Sequence, residues 1–113
     1  MQITVIGAGI GGLAVSQALA LRGANVRVLE QADAIREVGA GIQISPNGAR
    51  VFEALGLGEQ LRDVGLQAQA VQLVDYKGVG VTRLDLSRLA NQDYYFVHRA
   101  ALIDLLAGAA RAA

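Results

Sequence analysis

The chain has 113 residues, 53% hydrophobic and 18% charged, which is enough length and apolar content for one domain with a real core and excludes disorder. Ten Lys and Arg balance ten Asp and Glu, so no basic excess recommends nucleic acid or an anionic membrane, and aromatics at 4% are too sparse for base-stacking surfaces. Cysteine is absent and His98 is the only histidine, which excludes disulfides, thiol catalysis and metal sites built on cysteine or on several histidines.

The first element, Ile3-Thr4-Val5-Ile6, reads as an apolar strand, and Gly7-x-Gly9-x-x-Gly12 follows it directly. Ile10, Leu13, Ala14, Ala18 and Leu21 then recur at helical spacing, and Gly23 stands where a helix-ending glycine belongs. Val26-Arg27-Val28-Leu29 is a second apolar strand that ends on Glu30. A hydropathy scan would flag Ile3 to Leu21, but Gly7, Gly9, Gly11 and Gly12 interrupt the run and mark a buried βα unit instead of a membrane span. No basic stretch or cleavage site opens the chain, so a cytoplasmic protein is expected.

Each part of this βαβ unit meets a requirement for holding the adenosine end of a dinucleotide. Gly7 permits a tight turn, Gly9 lets backbone approach a pyrophosphate, and Gly12 lets helix and strand pack closely. The helix start turns free N–H groups and a positive dipole end towards phosphate. An acid about 20 residues beyond the glycines is placed to accept hydrogen bonds from ribose hydroxyls, which is the position of Glu30. Gln31 follows it and offers no Arg for a 2′-phosphate, so NADP in this site is disfavoured. A glycine-rich βαβ unit that serves packing alone would leave the three spaced glycines and the acid unrelated.

Beyond a polar segment, Gln31 to Glu37, the run Val38-Gly39-Ala40-Gly41-Ile42-Gln43-Ile44 predicts an extended segment where backbone passes close to something flat or bulky. Ser45-Pro46 predicts a helix start, with Ser45 as N-cap and Pro46 in the first helical position. That helix presents Ala49, Phe52 and Leu55 on one face and ends at Gly56; a short helix follows from Gly58 or Glu59 to Val64, closed by Gly65. Ala70–Tyr76 and Val79–Leu86 read as two strands around a Lys77-Gly78 turn. Gly78-Val79-Gly80 is half a glycine fingerprint with no helix after it, hence a hairpin turn. Tyr94–Val97 is a short aromatic strand, and His98-Arg99 opens a last helix with Leu102, Leu105, Leu106 and Ala109 as its stripe. The order predicts an α/β class: a Rossmann-like parallel βαβ fold with an antiparallel β-hairpin insertion.

Three motifs together resemble the N-terminal part of the group A FAD-dependent aromatic hydroxylases, in the branch of salicylate hydroxylase, 3-hydroxybenzoate 6-hydroxylase and 6-hydroxynicotinate 3-monooxygenase. They are Gly7–Gly12 with Glu30, then Arg36-Glu37-Val38-Gly39-Ala40-Gly41-Ile42-Gln43-Ile44-Ser45-Pro46-Asn47-Gly48, then His98-Arg99 followed by Leu102. Their order and spacing cover essentially the whole chain, and the second is the most family-specific. The resemblance implies FAD as cofactor, with contacts at Gly7, Gly9, Ile10, Gly11, Gly12, Glu30, Gln31, Arg36, Gly41, Ile42 and Arg99. It places the first motif on the ADP half, Gly39–Ile42 along the cofactor, and Arg99 near the ribityl and pyrophosphate. On its residues alone, Arg36 reads equally as a solvated loop charge. Arg99 at a helix start opposes the helix dipole, a conflict that an anion nearby would repair. His98 reads as structural. Ser16 stands where the family often has Ala, a small-for-small exchange.

The resemblance further implies NAD(P)H as transient reductant and a small aromatic acid as substrate. Residues 1–113 would form an N-terminal FAD-binding domain, with 67–97 as a β insertion belonging to the start of a substrate domain. Family members are several times longer and carry further cofactor and substrate segments downstream, so the chain is expected to be truncated relative to them. It is also expected to hold no catalytic residue and no metal. A non-catalytic FAD- or dinucleotide-binding module is the alternative function, and an NAD(H)-dependent dehydrogenase a third. A sheet truncated in this way leaves an unpaired edge, which predicts self-association.

Overall fold

The computed structural model describes residues 1–32, 40–86 and 94–112. Two parallel strands, β1 (Gln2–Ile6) and β2 (Asn25–Leu29), lie in register with Ile3 beside Val26 and Val5 beside Val28. The crossover between them is α1 (Ile10–Leu21). Period-two alternation puts Ile3, Val5, Val26 and Val28 on a half-buried face, and Thr4, Ile6, Arg27 and Leu29 on an exposed one.

Helix α1 has two neighbours, the β1–β2 pair and α4 (Arg99–Ala112). The buried side of α1 extends beyond the predicted stripe. Ser16 and Gln17 are buried, at 2% and 5% exposure, along with Leu13. Leu21, the last residue of that stripe, is instead 54% exposed and borders an open cleft beside Leu55 and Ala112. Ser16 Oγ donates to Gly12 O at 2.7 Å, so its hydroxyl is satisfied without a partner outside the helix.

A second sheet has the order β3–β7–β4, antiparallel throughout: β3 (Gly41–Ile44), β7 (Tyr95–His98) and the two-residue β4 (Leu66–Gln67). Among the described residues, parallel pairing is thus confined to β1 and β2. Strand β4 is too short to show any alternation, and sequence patterning missed it. Between β3 and β4 come α2 (Pro46–Ala54) and α3 (Gly58–Val64). Pro46 takes the first turn of α2 as expected, and Ser45 precedes it in extended backbone, but its side chain makes no capping hydrogen bond.

The core lies where these elements meet. Ala49, Phe52 and Leu55 from the α2 region, Leu61 of α3 and Tyr95 and Val97 of β7 close against Leu102, Ile103, Leu106 and Ala107 of α4. The α4 stripe is wider than its apolar spacing indicated: Ile103 and Ala107 are buried, while Leu105 and Ala109 are only partly so.

The antiparallel insertion is β5 (Ala70–Val74) paired with β6 (Gly80–Asp85). Both strands are shorter than expected, and at the turn between them this follows from Asp75, which organises it. Its carboxylate accepts from Lys77 N and Val79 N, each at 2.9 Å, which takes Tyr76 out of the ladder. The Rossmann-like α/β class and its antiparallel hairpin are both present.

Candidate functional site

Strand β1 delivers the chain into the glycine turn. Gly7 has φ +105°, a region that a side chain disfavours, and its N–H donates to Leu29 O at 2.6 Å. This ties the turn to the end of β2. A Cβ on Gly12 would collide with Gly7 O and lie 3.6 Å from Val5 Cγ1, so helix and strand approach as closely as only glycine allows. By contrast, a Cβ on Gly9 or Gly11 would meet nothing within 4 Å. The space in front of these two residues is open.

Gly9 is the N-cap of α1, no side chain caps the helix, and no acidic residue lies in its first turn. The first backbone bond back to the cap is Leu13 N to Gly9 O, 3.0 Å. The N–H groups of Ile10, Gly11 and Gly12 therefore have no acceptor within the helix and lie beside the positive end of its dipole. These donors, with the free space ahead of them, fit the phosphate part of a dinucleotide.

Glu30 closes the arrangement. Its Oε2 accepts Ala8 N–H at 2.8 Å, and its Oε1 accepts Gln31 N–H at 2.9 Å and Ala32 N–H at 3.4 Å. The Ala8 bond, reinforced by Ala32 and Gln31, holds the carboxyl below its ordinary 4.5 even though the side chain is exposed. A carboxylate offers about four lone-pair positions, so three of these are occupied by backbone and one remains on Oε2. The acid joins the glycine turn to the end of β2, a role that its position in the sequence did not reveal.

The other predicted residues gather elsewhere. Gly41 pairs with His98, and Ile42 packs against the core cluster that includes Ala8. Arg99, half-buried at the start of α4, donates its backbone N–H to Ala40 O at 2.8 Å. The second and third motifs are thus physically one unit. Arg36 and Gly39 lie outside the described residues. A groove of about 320 Å³ runs over the open face of the β3–β7–β4 sheet, beside Gly41, Phe96 and His98 and not beside Gly9. On that sheet Tyr94 donates its hydroxyl to Gln43 Oε1 at 2.6 Å and packs edge-on to Phe96, with 6.2 Å between ring centroids. This pairing spans 51 residues of chain and had no local sequence signal.

No helix among the described residues is long and apolar enough to cross a membrane. The profile of the family described as "FAD binding domain" matches residues 1–113. The 3-amino-4-hydroxybenzoate 2-monooxygenase of Streptomyces cremeus is 41% identical over 107 residues, covering 90% of this chain and 27% of that protein. The 3-hydroxybenzoate 6-hydroxylase 1 of Aquipseudomonas alcaligenes is 37% identical over 113 residues, 92% of this chain and 28% of that one. Among solved structures, the tetrameric form of 2-methyl-3-hydroxypyridine-5-carboxylic acid oxygenase superposes with a TM-score of 0.87 at 29% identity, over 98% of this chain and 29% of that one. Klebsiella pneumoniae HpxO complexed with FAD and uric acid gives 0.78 at 31% identity, over 96% and 28%. The chain therefore spans between 27% and 29% of the length of these relatives.

Proposed function

The chain belongs to the FAD binding domain family, and we propose that it forms the FAD-binding portion of a flavoprotein monooxygenase that hydroxylates a small aromatic substrate with NAD(P)H and O2. The observation that carries this is the uncapped start of α1, open in front of Gly9 and Gly11, with the Glu30 carboxylate beside it. Gly7 and Gly12 shape the turn, while the N–H groups around Gly9, Ile10 and Gly11 receive the diphosphate. Glu30 accepts a ribose hydroxyl on its remaining lone pair, with Gln31 alongside. Gly41 and Ile42 border the extended cofactor, and the Arg99 fork, with Arg36, contributes positive charge along it. The residues fit FAD, which when bound supplies the electron transfer and oxygen activation. The protein supplies binding, orientation and exclusion of water.

In this proposal residues 1–113 constitute the N-terminal FAD-binding domain, with 67–97 contributing to a substrate domain. The relatives' names support an aromatic acid as substrate, and the cytoplasm, which supplies NAD(P)H, is the compartment proposed. The test is flavin-coupled turnover: NAD(P)H oxidation and O2 uptake stimulated by a hydroxybenzoate. Bound FAD without any such stimulation would favour the second function, a non-catalytic FAD-binding module.

The β1–β2 pair has no further strand among the described residues, and Ile6 on its open face is 85% exposed. Self-association through this sheet edge forms part of the proposal. Light scattering is expected to report a dimer or larger species, and a monodisperse monomer would remove this part.

A further inference from the structure

We infer that Glu30 is a positioning residue for the phosphate end of the site, which it does not itself touch, in addition to its place beside the ribose. The inference rests on the dinucleotide reading of the glycine turn. Two hydrogen bonds fasten that turn to the end of β2. One runs from Gly7 N–H to Leu29 O at 2.6 Å, and the other from Ala8 N–H to Glu30 Oε2 at 2.8 Å. The second is the one described side-chain bond to a backbone N–H of the Gly7–Gly12 segment, and it pulls on the residue between Gly7 and Gly9. Ala8 is buried and joins the apolar core, so its peptide plane is fixed from one side by packing and from the other by Glu30. The peptide between Ala8 and Gly9 follows directly, and Gly9 is the N-cap that leads into the open donors of the helix start. Glu30 is itself held by Gln31 N–H and Ala32 N–H, so the acid is a rigid strut and not a free side chain. The donors thus stand ready before any ligand arrives, which spares the cost of ordering them on binding.

The inference reverses the sign expected from charge alone. Removing a carboxylate beside an anion site relieves repulsion and strengthens anion binding. Removing a strut that orders the donors weakens it. The probe that separates these is inorganic pyrophosphate, which has no ribose for Glu30 to contact. In the 113-residue chain, Glu30→Ala is expected to weaken pyrophosphate binding several-fold, read by amide shifts across Gly9 to Gly12. In the ligand-free chain, the same change is expected to accelerate Ala8 amide exchange on the order of tenfold, the scale of one lost charge-assisted hydrogen bond, and Glu30→Gln, which keeps one acceptor oxygen, to accelerate it less. Gly7, whose N–H is held by Leu29 O, keeps its protection and so certifies that the variants are folded.

Tighter pyrophosphate binding in Glu30→Ala would overturn the inference. So would an unchanged Ala8 rate, or an acceleration shared equally by Gly9, which would be an effect of charge alone. If the unsubstituted chain binds no pyrophosphate, the dinucleotide reading fails at this site. The Ala8 exchange rates still decide whether Glu30 holds the turn.

Discussion

The glycine unit at the start of the chain and the β5–β6 hairpin are both strand pairs with a turn that an acid braces, yet they are held in different ways. In the β1–α1–β2 unit the turn is tied to the neighbouring strand by Gly7 and Ala8 N–H bonds, and α1 is covered by both the sheet and α4. In the hairpin, Asp75 satisfies its own turn, but β6 is exposed along its whole length and Leu73, Val74, Val81 and Leu84 all face outward. One region is fixed by tertiary contact, the other by its own ladder. Stability should therefore respond steeply to small changes in the first and barely to larger ones in the second.

The largest expected effect comes from adding one methyl to the glycine unit. Gly12→Ala sets a Cβ against the backbone carbonyl of Gly7, which cannot rotate away, and is expected to cost about 3 kcal/mol, the upper end for overpacking. Urea denaturation measures it; a loss under about 0.5 kcal/mol would show that helix and strand can separate freely, as surface positions do.

An intermediate effect is expected from acid. Glu30 is held below its ordinary 4.5 in the folded chain, so its contribution is complete above that value and is lost as pH falls through the lowered one. The urea midpoint of the unsubstituted chain should therefore drop as pH falls below about 4.5. Glu30→Gln removes that part of the slope, and identical profiles for the two proteins would contradict the assignment.

The smallest effect belongs to the hairpin. Val81→Thr, at a position 68% exposed, should change stability by no more than about 0.5 kcal/mol in either direction. A clearly larger loss would show that the hairpin is covered by something, such as a second copy of the chain, and would sharpen the contrast into one of assembly.

The same division explains what the sequence disclosed. The strand, glycine turn, helix and second strand were legible because each signal is local: apolar runs, spaced glycines, an acid at a strand end. The Pro46 helix start and the hairpin were readable for the same reason. What escaped depends on contacts between distant segments. Gln17 is buried near both the end of α4 and the α2–α3 connection, and Ile103 belongs to a core that several elements share. The pairing of Leu66–Gln67 with β7 and the Tyr94–Gln43 bond likewise join residues far apart in the chain. Glu30 is the instructive case. Its place was legible, but its bond to Ala8 requires the turn and the end of β2 to be side by side, which only the folded βαβ unit provides.

The central claim is that this unit, by its glycine turn and Glu30, holds the ADP half of FAD. Its most direct test is a fluorescence titration of the purified chain with FAD, FMN and ADP. Saturable one-to-one binding of FAD, displaced by ADP and not shared by FMN, is the predicted result. A chain that takes up no FAD, or that binds FMN equally well and ignores ADP, would contradict it.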